Sequence, residues 1–269
     1  MQGRIDGASI NAFARGSHMT APLLDVNNPA SWPEGLQQAI ERLRPVFRAW
    51  EQDLPEKAAK TFDEAMQQLG DVLSPFAIRG FHFTRLTDCE AEKIRTTGLK
   101  ALVPDFIERR LAAQVEQGTL TADQAARLLK TNQVRDANRV GKAWFCFYPP
   151  CDAHESGVRP LLEHWGGEAL YNLNARDPVL GPVLRSIGRP ALVQAQVPAT
   201  YLRNSFGLAA AVYQADLATF GIETRDAPGR FEDYSRFDLE PDRIEHIFLH
   251  PNADFVRLTK SNRWSWTPR

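Results

Sequence analysis

The chain has 269 residues, 43% hydrophobic and 24% charged, enough for one large domain or two small ones with a sizeable core. A formal net charge of −1 argues against holding nucleic acid by bulk electrostatics, while leaving room for a local basic groove. Three cysteines, Cys89, Cys146 and Cys151, are too few and too irregularly spaced for a disulfide framework and point to a reducing compartment. No apolar run approaches the ~18 residues of a membrane span, so no membrane association is expected. The expected location is the cytoplasm, with delivery into a host or target cell left open.

Residues 1–18 end in GSH before Met19 and read as an expression leader outside the fold. From Trp32 to about Leu73 apolar residues recur at three- and four-residue steps, first Leu36, Ile40, Leu43, Phe47 and Trp50, then Phe62, Ala65, Met66 and Leu69. This predicts a helical hairpin parted at Pro55, with Pro45 kinking or splitting the first helix. AIRGFHFTRL (77–86) reads as a strand. Thr87 and Glu90 make a T-x-x-E capping box, and Gly98 stands where a helix C-cap belongs. Residues 103–131 are helical, with Thr121 as an N-cap, and KAWFCFY (142–148) is an aromatic strand stopped by Pro149-Pro150. PLLEHWGGEALYNL is a helix broken at Gly166-Gly167. ALVQAQV (191–197) alternates like a half-buried strand, 203–231 reads as a looser segment, and EDYSRFDL and RIEHIFL are strands separated by Glu240-Pro241-Asp242. Strands and helices in scattered order predict an α+β fold, not a regular βαβ array.

Three segments carry chemistry. HFTRLTDCEAEKIRTTGLKAL (82–102) places His82, Thr84, Arg85, Ile94, Gly98 and Leu99 in a strand–helix–glycine frame. GKAWFCFYPP (141–150) is a basic and aromatic strand. RFEDYSRFDLEPDRIEHIFL (230–249) sets Glu232 ahead of Tyr234, Phe237 and Asp238. In this order the three resemble the signatures of ADP-ribosyltransferases of the diphtheria-toxin and poly(ADP-ribose) polymerase type. The resemblance covers roughly a third of residues 78–249, and each motif alone is degenerate. Phe83 stands where that family commonly has glycine, a departure its main-chain contacts tolerate, and Phe145 stands where it has tyrosine.

What the resemblance implies is a split mixed sheet behind an N-terminal helical hairpin. The boundaries are 1–18 for the leader, 19–75 for the helical segment, 76–256 for the catalytic domain and 257–269 for a basic and aromatic tail. The implied substrate is NAD and the implied activity is mono-ADP-ribosyl transfer by a bacterial toxin, effector or defence enzyme. The acceptor is a macromolecule, protein or nucleic acid, and an antitoxin or regulator is an open partner. His82 and Glu232 are the implied catalytic residues. His82, Phe83, Thr84, Arg85, Phe145 and Tyr148 are the implied NAD contacts, with Tyr148 the weaker candidate for the stacking ring. Arg85 and Arg79 are near enough in sequence to meet a pyrophosphate.

Those residue types suit the reaction. Breaking the bond from nicotinamide to ribose develops oxocarbenium-like charge, which a carboxylate stabilises. A neutral imidazole holds a ribose hydroxyl without adding a cation beside that charge, and an aromatic plate pins the nicotinamide ring. Rival carboxylates are Glu168, Glu223 and Glu245. No metal is required, and C-x4-C-x2-H at Cys146, Cys151 and His154 has no evident fourth ligand. His164, His246 and His250 read as structural or surface residues. HWGGEALY (164–171) is either a pocket wall or a close-packed junction, and the Trp264 and Trp266 tail is expected to pack on the core. Two alternatives stay open: an NAD glycohydrolase or RNA 2′-phosphotransferase on the same scaffold, and a non-catalytic binding module.

Overall fold

The computed structural model describes residues 21–53, 58–225 and 230–268; the leader and Pro55 lie outside them. Two ten-residue strands anchor a six-stranded sheet: β2 (Ala77–Leu86) and β4 (Arg189–Pro198), antiparallel to each other along their whole length. Their register pairs His82 with Val193 and Phe83 with Leu192. β6 (Ile244–Leu249) extends the sheet beyond β4, while β3 (Ala143–Cys146) and β5 (Glu232–Ser235) extend it on the other side, in the order β5-β3-β2-β4-β6. The short β1 (Leu23–Leu24) runs parallel to the start of β2.

The two edges of β2 are unequal. β4 fills one. On the other, β1 takes Ala77 and Ile78, β3 meets the strand only at Phe81↔Cys146, and Phe83–Leu86 have no strand partner. The sheet therefore splits at the middle of its central strand, directly at His82.

Helices cover both faces. α1 (Glu34–Asp53) and α2 (Ala58–Leu73) form the expected hairpin and share a core cluster with β2, β3, β4 and α9 (Ser205–Thr219). The core therefore does not divide at residue 75, and the hairpin belongs to the same packed unit as the sheet. Pro45 does not split α1, which runs as one helix through it. Pro45 and Glu41 are exposed, so the carbonyl that loses its helix donor at this proline lies on the solvent side of α1. The opposite face is covered by α6 (Glu155–Glu163) and α10 (Ala253–Thr259), with Phe81, Phe83, Tyr148, Leu192 and Phe255 between them. Trp264 and Trp266 stack 6.0 Å apart and pack on that cluster. α4 (Pro104–Glu116), α5 (Ala122–Thr131), α7 (Glu168–Asn174) and α8 (Leu180–Ser186) build a core of their own around Trp165.

The segment expected to be loose holds α9, with eight buried residues. It is apolar on nearly every side, so no amphipathic stripe announces it. Burying Leu208, Val212 and Leu217 contributes roughly 1.5–3 kcal/mol each, which holds the helix in place. Among the described residues no helix is long and apolar enough to cross a membrane.

α3 (Asp88–Thr97) starts on the expected capping box and ends at Gly98, whose φ is +80°. A Cβ there would lie 1.9 Å from the Leu239 carbonyl oxygen, in the loop that Leu99 pins through its bridge to Leu239. Gly98→Ala is expected to cost about 2–4 kcal/mol in urea denaturation. A loss below about 1 kcal/mol would mean that the 239 loop gives way freely.

Candidate functional site

His82 sits at the split. Its Nδ1 lies 2.8 Å from the Trp144 carbonyl oxygen. A carbonyl only accepts, so Nδ1 carries the proton and Nε2 of the neutral ring is left as an acceptor. Burial pulls the imidazole below its ordinary value; the Trp144 carbonyl opposes this and the charge of Arg110 adds to it. The ring is thus kept neutral. A depressed histidine stabilises the fold above its unfolded pKa of about 6.5 and loses that contribution as pH falls through the folded value. Relative to His82→Gln, the wild type is therefore expected to lose unfolding temperature between pH 7.5 and pH 5; parallel curves would contradict the neutral ring.

Glu232 opens β5, exposed, opposite Cys146. The Tyr148 hydroxyl donates to Glu232 Oε1, and Cys146 Sγ lies 3.8 Å from the same oxygen. No donor among the described residues takes Oε2. Burial pushes the Tyr148 phenol well up, and burial likewise pushes the Cys146 thiol up to about 12, so both are protonated donors at neutral pH. A cavity of about 260 Å³ lies beside Tyr148, lined also by Arg230, Phe231 and Asp152 among others. It is roomy enough for part of a nucleotide, not for a whole dinucleotide.

The ladder decides which of these side chains meet. Residues directly opposite in a sheet share a face and neighbours in a strand alternate. Phe81↔Cys146 and Cys146↔Glu232 therefore put Glu232 and Tyr148 on the face of Phe81 and Phe83. His82 and Phe145 project to the other face, where their rings lie 5.8 Å apart. The structure brings His82 to Phe145, and Glu232 to Tyr148, without setting the two pairs side by side.

The expected NAD contacts take the following places. Phe145 is 1% exposed, packed on Gly80 and Phe147, and is a core ring; the β3 aromatic open to a ligand is Trp144, 47% exposed and 4.9 Å from Tyr234. Phe83 has a buried side chain and offers only main chain. Thr84 is half-buried beside the unpartnered edge of β2. Arg85 is buried and donates to the carbonyls of Ile187, Leu162, Arg185 and Gly188, at 2.6, 3.1, 2.6 and 2.9 Å. Spent on main-chain oxygens inside the protein, it does not present itself to a pyrophosphate. Arg79 is likewise engaged, with Glu245 at 3.2 Å and Asp25 at 3.4 Å.

The rival carboxylates separate. Burial pushes Glu245 up, but Gln194, Gln196 and Arg79 outweigh it and hold the group below its ordinary value as a structural anion. Glu168 begins α7 near Arg139, at 3.6 Å, and Glu223 is exposed in a loop. Gly166 and Gly167 both have positive φ; a Cβ at Gly166 would collide with Leu170, so Gly166 serves close packing, while Gly167 is required by its backbone alone. Among the described residues no group of three or more His, Cys, Asp and Glu is placed to hold a metal ion.

A further cluster was not anticipated. Glu90 accepts from Arg110 Nε at 2.6 Å, from Trp165 Nε1 at 2.9 Å and from the Thr87 N–H at 2.9 Å. The capping box was legible; its second use, as the anchor of an arginine on α4, depends on the tertiary approach of α3, α4 and the Trp165 turn. Compared with known proteins, the chain matches no family model, no curated protein and no solved structure.

Proposed function

We propose that this protein is an NAD-dependent ADP-ribosyltransferase acting on a macromolecular acceptor. One observation carries the reading: three motif-bearing segments far apart in sequence become three adjacent strands, β5-β3-β2, and β2 parts from β3 at the histidine. The dinucleotide is placed along the open edge of β2 beyond Phe81. There, the main chain of Phe83 offers groups to the carboxamide, and Trp144 offers a ring to the nicotinamide.

In this scheme His82 Nε2 accepts from a ribose hydroxyl. The bond from C1′ to the nicotinamide nitrogen breaks, and its electron pair leaves with nicotinamide. The cationic ribose is stabilised by Glu232, whose free oxygen faces solvent, and is captured by an acceptor nucleophile. The nucleophile's proton passes to Glu232 or to water. His82 on β2 and Glu232 on β5 point to opposite faces with β3 between them, so a ligand meets both only by reaching past β3. The same placement favours a second reading, a module that binds a nucleotide at His82 without cleaving it.

Calorimetric titration with NAD tests the shared premise. Saturable binding, weakened about tenfold or more in His82→Ala by loss of a buried hydrogen bond, is the expected result. Absence of any NAD binding to the wild type would end both readings.

A further inference from the structure

Arg110 is held on several sides and left unfinished at one atom. Its Nε is fixed by Glu90, and its guanidinium carbon lies 4.5 Å over the Trp165 ring and 5.4 Å over Phe106. Its Nη2 is buried and has no hydrogen-bond partner among the described residues. Leaving a charged donor so costs about 1–3 kcal/mol or more, and the arrangement around it is too well fixed to be slack. Thr87, Trp165 and Arg110 itself occupy the Glu90 oxygens, so the carboxylate anchors the guanidinium and cannot turn to serve Nη2. A planar fork locked by a carboxylate on one edge and an indole on its face is a preorganised oxyanion receptor.

Position supplies the ligand class. Arg110 is anchored by Glu90 in the first turn of α3, the helix that follows directly on β2, the strand of His82. The two arginines that flank the histidine on β2 are occupied, Arg85 by carbonyls and Arg79 by Glu245 and Asp25. Arg139 Nε is also without a hydrogen bond, yet Glu168 stands 3.6 Å from it. We infer that Arg110 is the docking point for a phosphate oxygen of a nucleoside diphosphate bound next to His82. The nucleotide rests on the function proposed above; the oxyanion site does not.

Inorganic pyrophosphate and ADP-ribose are titrated into the wild type, Arg110→Lys and Arg110→Met by calorimetry, with circular dichroism to check folding. Lysine keeps the charge and loses the fork. Both ligands are expected to bind the wild type, and each variant at least tenfold more weakly. In parallel, the His82 ring resonance, assigned by its absence in His82→Ala, is expected to move when pyrophosphate is added to the wild type. Equal affinity in a folded Arg110 variant, no binding by the wild type, or a stationary His82 resonance would each overturn the assignment. Should both variants unfold, the His82 resonance of the wild type decides. Pyrophosphate binding without NAD cleavage would remove the transferase reading and leave this site; NAD cleavage with an unchanged Arg110→Lys would do the reverse.

Discussion

Glu232→Gln is expected to lower nicotinamide release from NAD by about 10²–10³-fold, the scale of losing one preorganised electrostatic group at a reacting centre. The substitution is a clean one. Glutamine keeps the length of the side chain and a carbonyl oxygen for the Tyr148 hydroxyl, so the local geometry survives while the negative charge goes. Glu232 is exposed, so the unfolding temperature should barely move. Tyr148→Phe removes only the tether and is expected to have a smaller effect, since the carboxylate remains but is no longer fixed. Release that persists undiminished in Glu232→Gln would take the carboxylate out of the chemistry and turn attention to Glu168.

The largest effect on stability is expected at Arg85. Its guanidinium satisfies four main-chain carbonyls from two separate stretches of chain, the end of α6 and the turn from α8 into β4. Arg85→Met fills the volume and leaves those oxygens without donors. The expected cost is about 3–5 kcal/mol, on the order of 10 °C in a calorimetric scan. A shift of only about 1–2 °C would mean that water replaces the guanidinium at those carbonyls. The contrast with Arg110 is instructive: Arg85 is a strut, and Arg110 has an atom to spare.

Much of the frame was legible because local chemistry fixed it. Thr87 with Glu90 and Thr121 with Gln124 cap their helices as capping boxes, Gly98 stops α3, and Gly167 stands at the start of α7. α9 was not legible, because a helix buried on nearly all sides has no polar face to reveal its period. At the site, residue types were readable and directions were not. KAWFCFY announces an aromatic strand, but only the register of β3 with β2 and β5 tells that Phe145 lies in the core and Trp144 in the open. The same register sends His82 and Glu232 to opposite faces, which no motif spacing conveys. Arg85 beside the histidine in sequence points into the protein, whereas Arg110, on a different helix, carries the unpartnered donor. Sequence proximity misleads along a strand, where neighbours alternate.

The most direct test of the account is incubation of the purified protein with NAD labelled on the ADP-ribose moiety and a cell lysate as acceptor. Nicotinamide release and label transfer to macromolecules are read together. The account predicts that nicotinamide is released in step with label appearing on protein or nucleic acid, and that both signals fall in His82→Ala and Glu232→Gln. Saturable NAD binding with neither nicotinamide release nor transfer would contradict it, and would leave the split between β2 and β3 as a binding site alone.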